Sequence, residues 1–154
     1  MDKYMRMAIN EAKKGITLGE GGPFGCVIVK DGKVVSKAHN QVLKNNDATC
    51  HGEVNAIRKA GKKLGSFNLK GCELYTTGEP CPMCLSAILW ANVDKVYYGC
   101  TIADNDKIGF RDKVFADSFG IDYSTLPLPM LEVDRDACLK LFEEYNAIKG
   151  KKHY

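Results

Sequence analysis

The chain has 154 residues, 45% hydrophobic and 27% charged, with 22 basic against 19 acidic side chains and a net charge of +3. That is the length of one domain able to bury its own core, and the proportions exclude a disordered, collagen-like or coiled-coil chain. The basic excess is too small to imply a nucleic-acid partner. No apolar run approaches the roughly 20 residues of a membrane span, and the opening MDKYMRMAINEAKK lacks the unbroken apolar stretch of a secretory signal.

Residues 3–16 place Tyr4, Ala8, Ile9, Ala12 and Ile16 on one face, which predicts an amphipathic helix with Asp2 at its N-cap. After Gly21-Gly22-Pro23, the runs FGCVIVK and KVVSKAH flank Asp31-Gly32, a strong signal for a hairpin. Residues 42–50 read as irregular. A second helix is expected from His51 to about Leu64, burying Val54, Ile57, Ala60 and Leu64. CELYTT (72–77) reads as a strand, residues 81–91 as a helix with Pro82 in its first turn, and 93–100 as a further strand. Residues 101–129 are mixed, with a short helix expected near 113–119. MLEVD (130–134) and residues 135–148 read as a closing strand and amphipathic helix. Helix–strand repeats of this kind favour parallel strands with helices on both faces of one sheet. No linker, repeat or low-complexity segment divides the chain, so residues 1–154 form a single domain.

The seven cysteines are an odd number without an export signal, as expected of a cytoplasmic protein with reduced thiols. Cys26, Cys72 and Cys100 lie in strand-like runs and read as small buried hydrophobes. Cys81 and Cys84 differ: they form a Cys-x-x-Cys pair at a helix start, in Glu79-Pro80-Cys81-Pro82-Met83-Cys84. His51-Gly52-Glu53 opens another helix. One imidazole and two thiolates suit a zinc ion with its fourth position open, and a helix N-terminus favours thiolate. Glu53, two residues after the histidine, is placed to move protons without being a ligand. A redox pair, or a structural zinc with Cys50 as fourth ligand, are the blander readings. His-x-Glu followed by Pro-Cys-x-x-Cys is, in combination, the signature of zinc deaminases.

On these residues the chain resembles the cytidine and deoxycytidylate deaminase superfamily along nearly its whole length. Within it, the small bacterial guanine deaminases are most similar. Gly22-Pro23-Phe24-Gly25 before a Val-Ile-Val strand, Asn40, Asn46-Asp47, Trp90, Gly109-Phe110-Arg111-Asp112 and the tail Lys151-Lys152-His153-Tyr154 carry that resemblance. It implies a three-layer α/β/α sandwich around a five-stranded mixed sheet, one Zn2+ per subunit and a homodimer. The segment from about 135 to 154 would be exchanged between subunits. Glu53 and Asp112 would be catalytic, and His51, Cys81 and Cys84 would hold the metal. Asn40, Phe24, Gly52, Trp90, Asp112 and Tyr154 would contact a nucleobase. Without the resemblance, Phe24 and Trp90 are core aromatics, Asn40 a turn residue, Asp112 a solvated carboxylate and Tyr154 a frayed terminus.

The expected activity is zinc-dependent hydrolytic deamination of a free purine, guanine to xanthine and ammonia. Alternatives are a cytosine or other nucleobase deaminase, a tRNA adenosine deaminase, and a zinc-stabilised domain without activity. The basic pairs Lys13-Lys14, Arg58-Lys59 and Lys62-Lys63 lie among acids and read as solvated helix faces. An intact Glu53 would be idle in a purely structural site.

Overall fold

The computed structural model describes residues 1–154. The first helix, α1 (Lys3–Thr17), starts where expected: Oδ1 of Asp2 accepts from the backbone N–H groups of Tyr4 at 2.7 Å and Met5 at 3.0 Å. The strands β1 (Gly25–Lys30) and β2 (Lys33–His39) follow. They turn at Asp31 and Gly32, whose φ angles of 50° and 72° belong to the left-handed turn that twisted hairpins favour. A short helix, α2 (Val42–Asn45), occupies the segment read as irregular. Then come α3 (Gly52–Leu64), β3 (Cys72–Gly78), α4 (Pro82–Trp90) and β4 (Lys95–Cys100). Residues 101–129 hold α5 (Ile102–Lys107), α6 (Asp112–Ser118) and a single 3-10 turn at Tyr123–Thr125. The chain closes with β5 (Met130–Glu132) and α7 (Arg135–Asn146).

The five strands form one mixed sheet in the order β2-β1-β3-β4-β5. β1 is antiparallel to both β2 and β3, whereas β3, β4 and β5 run parallel. β1 is buried on both sides, and its alternation divides the core. Cys26 and Ile28 join Ala56, Leu74, Leu85, Ile88 and Val96 under α3 and α4. Val27 and Val29 join Met5, Ala8, Ile9, Leu141 and Phe142 under α1 and α7. The architecture is therefore the expected three-layer sandwich. Cys26, Cys72 and Cys100 are buried in it, and all seven cysteines are free thiols. At Gly99 the sheet and α7 meet closely: a Cβ there would fall 2.2 Å from Sγ of Cys138.

The buried face of α3 differs from the expected one. Glu53, Asn55, Ala56 and Ala60 are buried, Val54 and Ile57 only partly, and Leu64 is exposed. The helix is rotated by its polar residues: Nδ2 of Asn55 donates to the carbonyls of His39 at 3.0 Å and Cys50 at 3.3 Å, and Glu53 points inward. Burying hydrogen-bonded polar groups here outweighs the simple apolar stripe.

Strand directions fix where chemistry can gather. The start of β1 and the ends of β2, β3 and β4 lie at one end of the sheet, as the pairings Gly25 with His39, Cys26 with Thr76 and Gly78 with Cys100 show. Loops leaving the carboxyl ends of parallel strands are the usual place for a binding crevice. Phe24, Asn40, the Glu79–Cys81 loop and the segment from Thr101 to Asp112 all issue from that end.

Candidate active site

Two helix starts face each other at this end. His51 occupies the N-cap of α3 and Cys81 the N-cap of α4, both with extended backbone. Neither caps its helix with its own side chain, so both side chains are free to turn outward. Pro82, at the first position of α4, has no N–H to leave unsatisfied. Tyr123 Oη donates to the carbonyl of Pro80 at 2.8 Å and braces the loop.

Nδ1 of His51 lies 3.5 Å from Sγ of Cys81 and 3.5 Å from Sγ of Cys84, and all three ligand atoms are within 4.8 Å of one another. Zinc bonds of about 2.0–2.3 Å in tetrahedral geometry set ligands about 3.5 Å apart, so the cluster fits zinc without rearrangement. Charge points the same way. Burial opposes a cationic His51, yet the hydrogen bond with Cys81 and the negative charges of Cys81, Glu53 and Asp112 carry its pKa above the usual value. A field that would protonate the ring also attracts a divalent cation. The hydrogen bond from Cys84 pulls the Cys81 thiol well below its ordinary range and pushes that of Cys84 up. Cys50 stands outside the cluster, its sulfur 3.5 Å from Nδ2 of Asn45.

Glu53, the second residue of α3, is buried. Oγ1 of Thr76 donates to its Oε1 at 3.0 Å, and Sγ of Cys84 is 3.4 Å from Oε2. Burial, then the charge of Cys81, raises its pKa, which suits a group that takes up and releases protons. Asp112, the first residue of α6, is pushed up to about 6, by burial first and the charge of Cys81 second. Nδ2 of Asn105 donates to its Oδ2 at 2.9 Å.

A cavity of about 390 Å³ lies over these groups. His51, Glu53, Cys81 and Asp112 form its polar floor; Phe24, Phe110 and Tyr154 form its apolar walls. The rings of Phe24 and Phe110 meet edge-on at 4.8 Å, and that of Tyr154 lies 5.1 Å from Phe110. Tyr154 is not frayed: Gly22 N–H donates to its hydroxyl at 3.2 Å, and burial raises its pKa. Next to it, Nε2 of His153 is 2.7 Å from the carbonyl of Gly109.

Three expected contact residues stand elsewhere. Trp90, the last residue of α4, is on the outside of the molecule, 84% exposed, and does not line the cavity. Gly52 packs against β1, where an added Cβ would lie 3.1 Å from the carbonyl of Phe24, so its smallness serves packing. Asn40 is fully buried just behind the wall. Its Oδ1 accepts from Val42 N–H at 3.1 Å, while Nδ2 has no partner in the protein. The structure adds Val42, Glu79, Asn105, Arg111 and Phe115 to the lining. Glu79 and Arg111 sit inside the motifs around Cys81 and Asp112, and the capping box of Thr101 and Asp104 that opens α5 is the signal nearest Asn105.

Residues 1–100 match the cytidine and deoxycytidylate deaminase zinc-binding region. A guanine deaminase of Bacillus subtilis (strain 168) is 39% identical over 153 residues, 99% of this chain and 98% of that protein. A tRNA-specific adenosine deaminase of Aquifex aeolicus (strain VF5) is 43% identical over 95 residues, 62% of each chain. Among solved structures, guanine deaminase from Bacillus subtilis gives a TM-score of 0.74 at 39% identity, covering 100% of this chain and 99% of that one. Guanine deaminase from Nitrosomonas europaea shares the fold, with a TM-score of 0.81 at 24% identity over 94% of this chain and 84% of that one.

Proposed function

The chain belongs to the cytidine and deoxycytidylate deaminase family, and we propose that it hydrolyses the free base guanine to xanthine and ammonia. The observation that carries this reading is the anchored tail: Tyr154 lines the same cavity as Glu53 and Asp112 and is fixed there by Gly22. A small planar base must be enclosed to be held, because it offers few contacts. A nucleotide in a folded RNA needs an open approach.

Zinc held by His51, Cys81 and Cys84 would supply Lewis acidity that makes water a nucleophile at neutral pH. The protein does the rest. Oε2 of Glu53 removes a proton from the attacking water and delivers it to N3 of guanine as C2 becomes tetrahedral. Glu53 then transfers the second proton to the departing 2-amino group, which leaves as ammonia. Thr76 keeps Oε1 of Glu53 occupied, so the other oxygen shuttles. Asp112, which lines the cavity, accepts N–H groups of one edge of the base. Phe24, Phe110 and Tyr154 cover the ring faces and exclude water.

The active species is a homodimer in the reducing cytoplasm, with residues 135–154 exchanged between copies. Support for the pairing is the far end of α4, where Leu89 and Trp90 are exposed on a helix whose polar side chains are only Cys84 and Ser86. A helix apolar on every side is normally covered. Trp90 then meets the second copy rather than solvent.

Ammonia release from guanine, cytosine, adenine, their nucleosides and tRNA, on protein of measured zinc content, tests the reading. Guanine should be the best substrate. Faster release from cytosine or from tRNA would overturn the substrate assignment.

A further inference from the structure

Asn105 is a wall residue whose side chain joins two parts of the site. It lies on α5, 1% exposed. Its Nδ2 donates to Oδ2 of Asp112 at 2.9 Å and to the backbone carbonyl of Glu79 at 3.3 Å. Glu79 opens the loop that carries Cys81, so one amide group spans from the cysteine loop to the carboxylate proposed to read the base. Its other polar atom, Oδ1, is buried with no partner. Oδ1 faces Gly78, 2.9 Å from where a Cβ on that residue would sit. With Asp112 ionised the reverse orientation is unfavourable, since it would set Oδ1 against a carboxylate and a carbonyl, three acceptors with no proton among them. Both donor hydrogens are therefore committed, and the acceptor is left idle in a buried place where idle acceptors are rare. A side chain chosen for packing alone would not leave it so.

We infer that Asn105 is a positioning residue for substrate recognition: by occupying Oδ2 of Asp112 it leaves Oδ1 as the only oxygen free for the N–H groups of the base. This rests on the nucleobase reading above. A carboxylate free to rotate presents two equivalent oxygens and no fixed direction; one pinned at Oδ2 presents a single acceptor at a set distance from the Glu53 floor. The bond to Glu79 makes that distance common to the base-reading and metal-holding parts of the site. Asn105 touches no reacting atom, and its effect passes wholly through Asp112.

The test is a double-mutant cycle between Asn105 and Asp112, read in kcat and KM for ammonia release from whichever base the wild-type chain deaminates fastest. Failure of the guanine reading therefore appears in the substrate screen and failure of the positioning role in the cycle. Asn105→Leu keeps the size and removes both donors; Asn105→Ala removes them without any demand of fit. Both should lower kcat/KM roughly 10–100-fold, mostly through KM, with zinc content unchanged. In an Asp112→Ala background the same substitutions should change kcat/KM by less than about 3-fold, because there is no carboxylate left to orient. Equal losses in both backgrounds, or no loss from either single substitution, would overturn the proposal.

Discussion

The hydroxyl of Tyr154 accepts a hydrogen bond from the N–H of Gly22, so two residues 132 positions apart in sequence close the same cavity. The contact can be made by a chain on itself or across a pair of exchanged tails, and function separates the two. Mixing subunits that carry Glu53→Gln with subunits that carry Tyr154→Ala, after co-refolding, should restore guanine turnover if the tails are exchanged. Each mixed dimer then contains one site with both an intact glutamate and an intact tyrosine. Activity no higher than the sum of the two inactive parents would place the tail on its own subunit.

Removing one ligand should abolish the metal site. Cys81→Ala leaves His51 and Cys84 only, too few for a tight zinc site. Zinc measured by plasma emission should fall to background together with deamination. Full occupancy in that variant would show the ligand set to be different.

Glu53→Gln separates proton transfer from metal binding. The amide keeps the shape and its contact with Thr76 but cannot shuttle a proton. Zinc should remain while kcat falls at least ~10²-fold, the usual size of a lost general acid–base group. Near-native turnover would remove Glu53 from the chemistry.

The buried Glu20 gives a stability prediction with a defined sign. Burial by itself would raise its pKa. Hydrogen bonds from Gln41, His39 and Lys44 outweigh burial and lower the pKa to about 2 from an ordinary 4.5. Because the folded value is depressed, the stabilisation is full above pH 4.5 and is lost as pH falls toward about 2. Glu20→Gln should cost roughly 1–3 kcal/mol at neutral pH, and that difference should shrink across the same interval. Denaturant melts at pH 7, 4.5, 3 and 2 measure it. A constant difference would assign the effect to packing.

Much of the architecture was legible because it depends on local chemistry. Asp31-Gly32 announces a hairpin through the backbone it permits, and Asp2 announces a helix through its cap. The pair of motifs His51-Gly52-Glu53 and Cys81 to Cys84 announces zinc through donor type and spacing. What escaped depends on rotation and reach. The inward face of α3 follows from bonds that Asn55 makes to residues far along the chain. Helix α5 is too short and polar to show a stripe, although Thr101 and Asp104 carry its capping box. Trp90 reads as a core aromatic by itself and as a wall by resemblance, yet it ends α4 exposed on the outside. Asn105 has no motif at all; its importance exists only once Glu79 and Asp112 have been brought beside it.

The contact at Gly99 makes the thickness of the sandwich a functional dimension. α7 rests there on bare strand backbone, Cys138 filling the space a side chain would need. From the same helix, Phe142 props Phe24 at 5.6 Å and Tyr145 props Phe110 at 5.9 Å, two of the three rings that wall the cavity. Any side chain at position 99 would lift the helix and tilt both rings at once. In a survey of random variants, Gly99 should therefore rank with the residues that touch substrate, although it touches none. Its intolerance would record a tolerance in ångströms, not a role in chemistry.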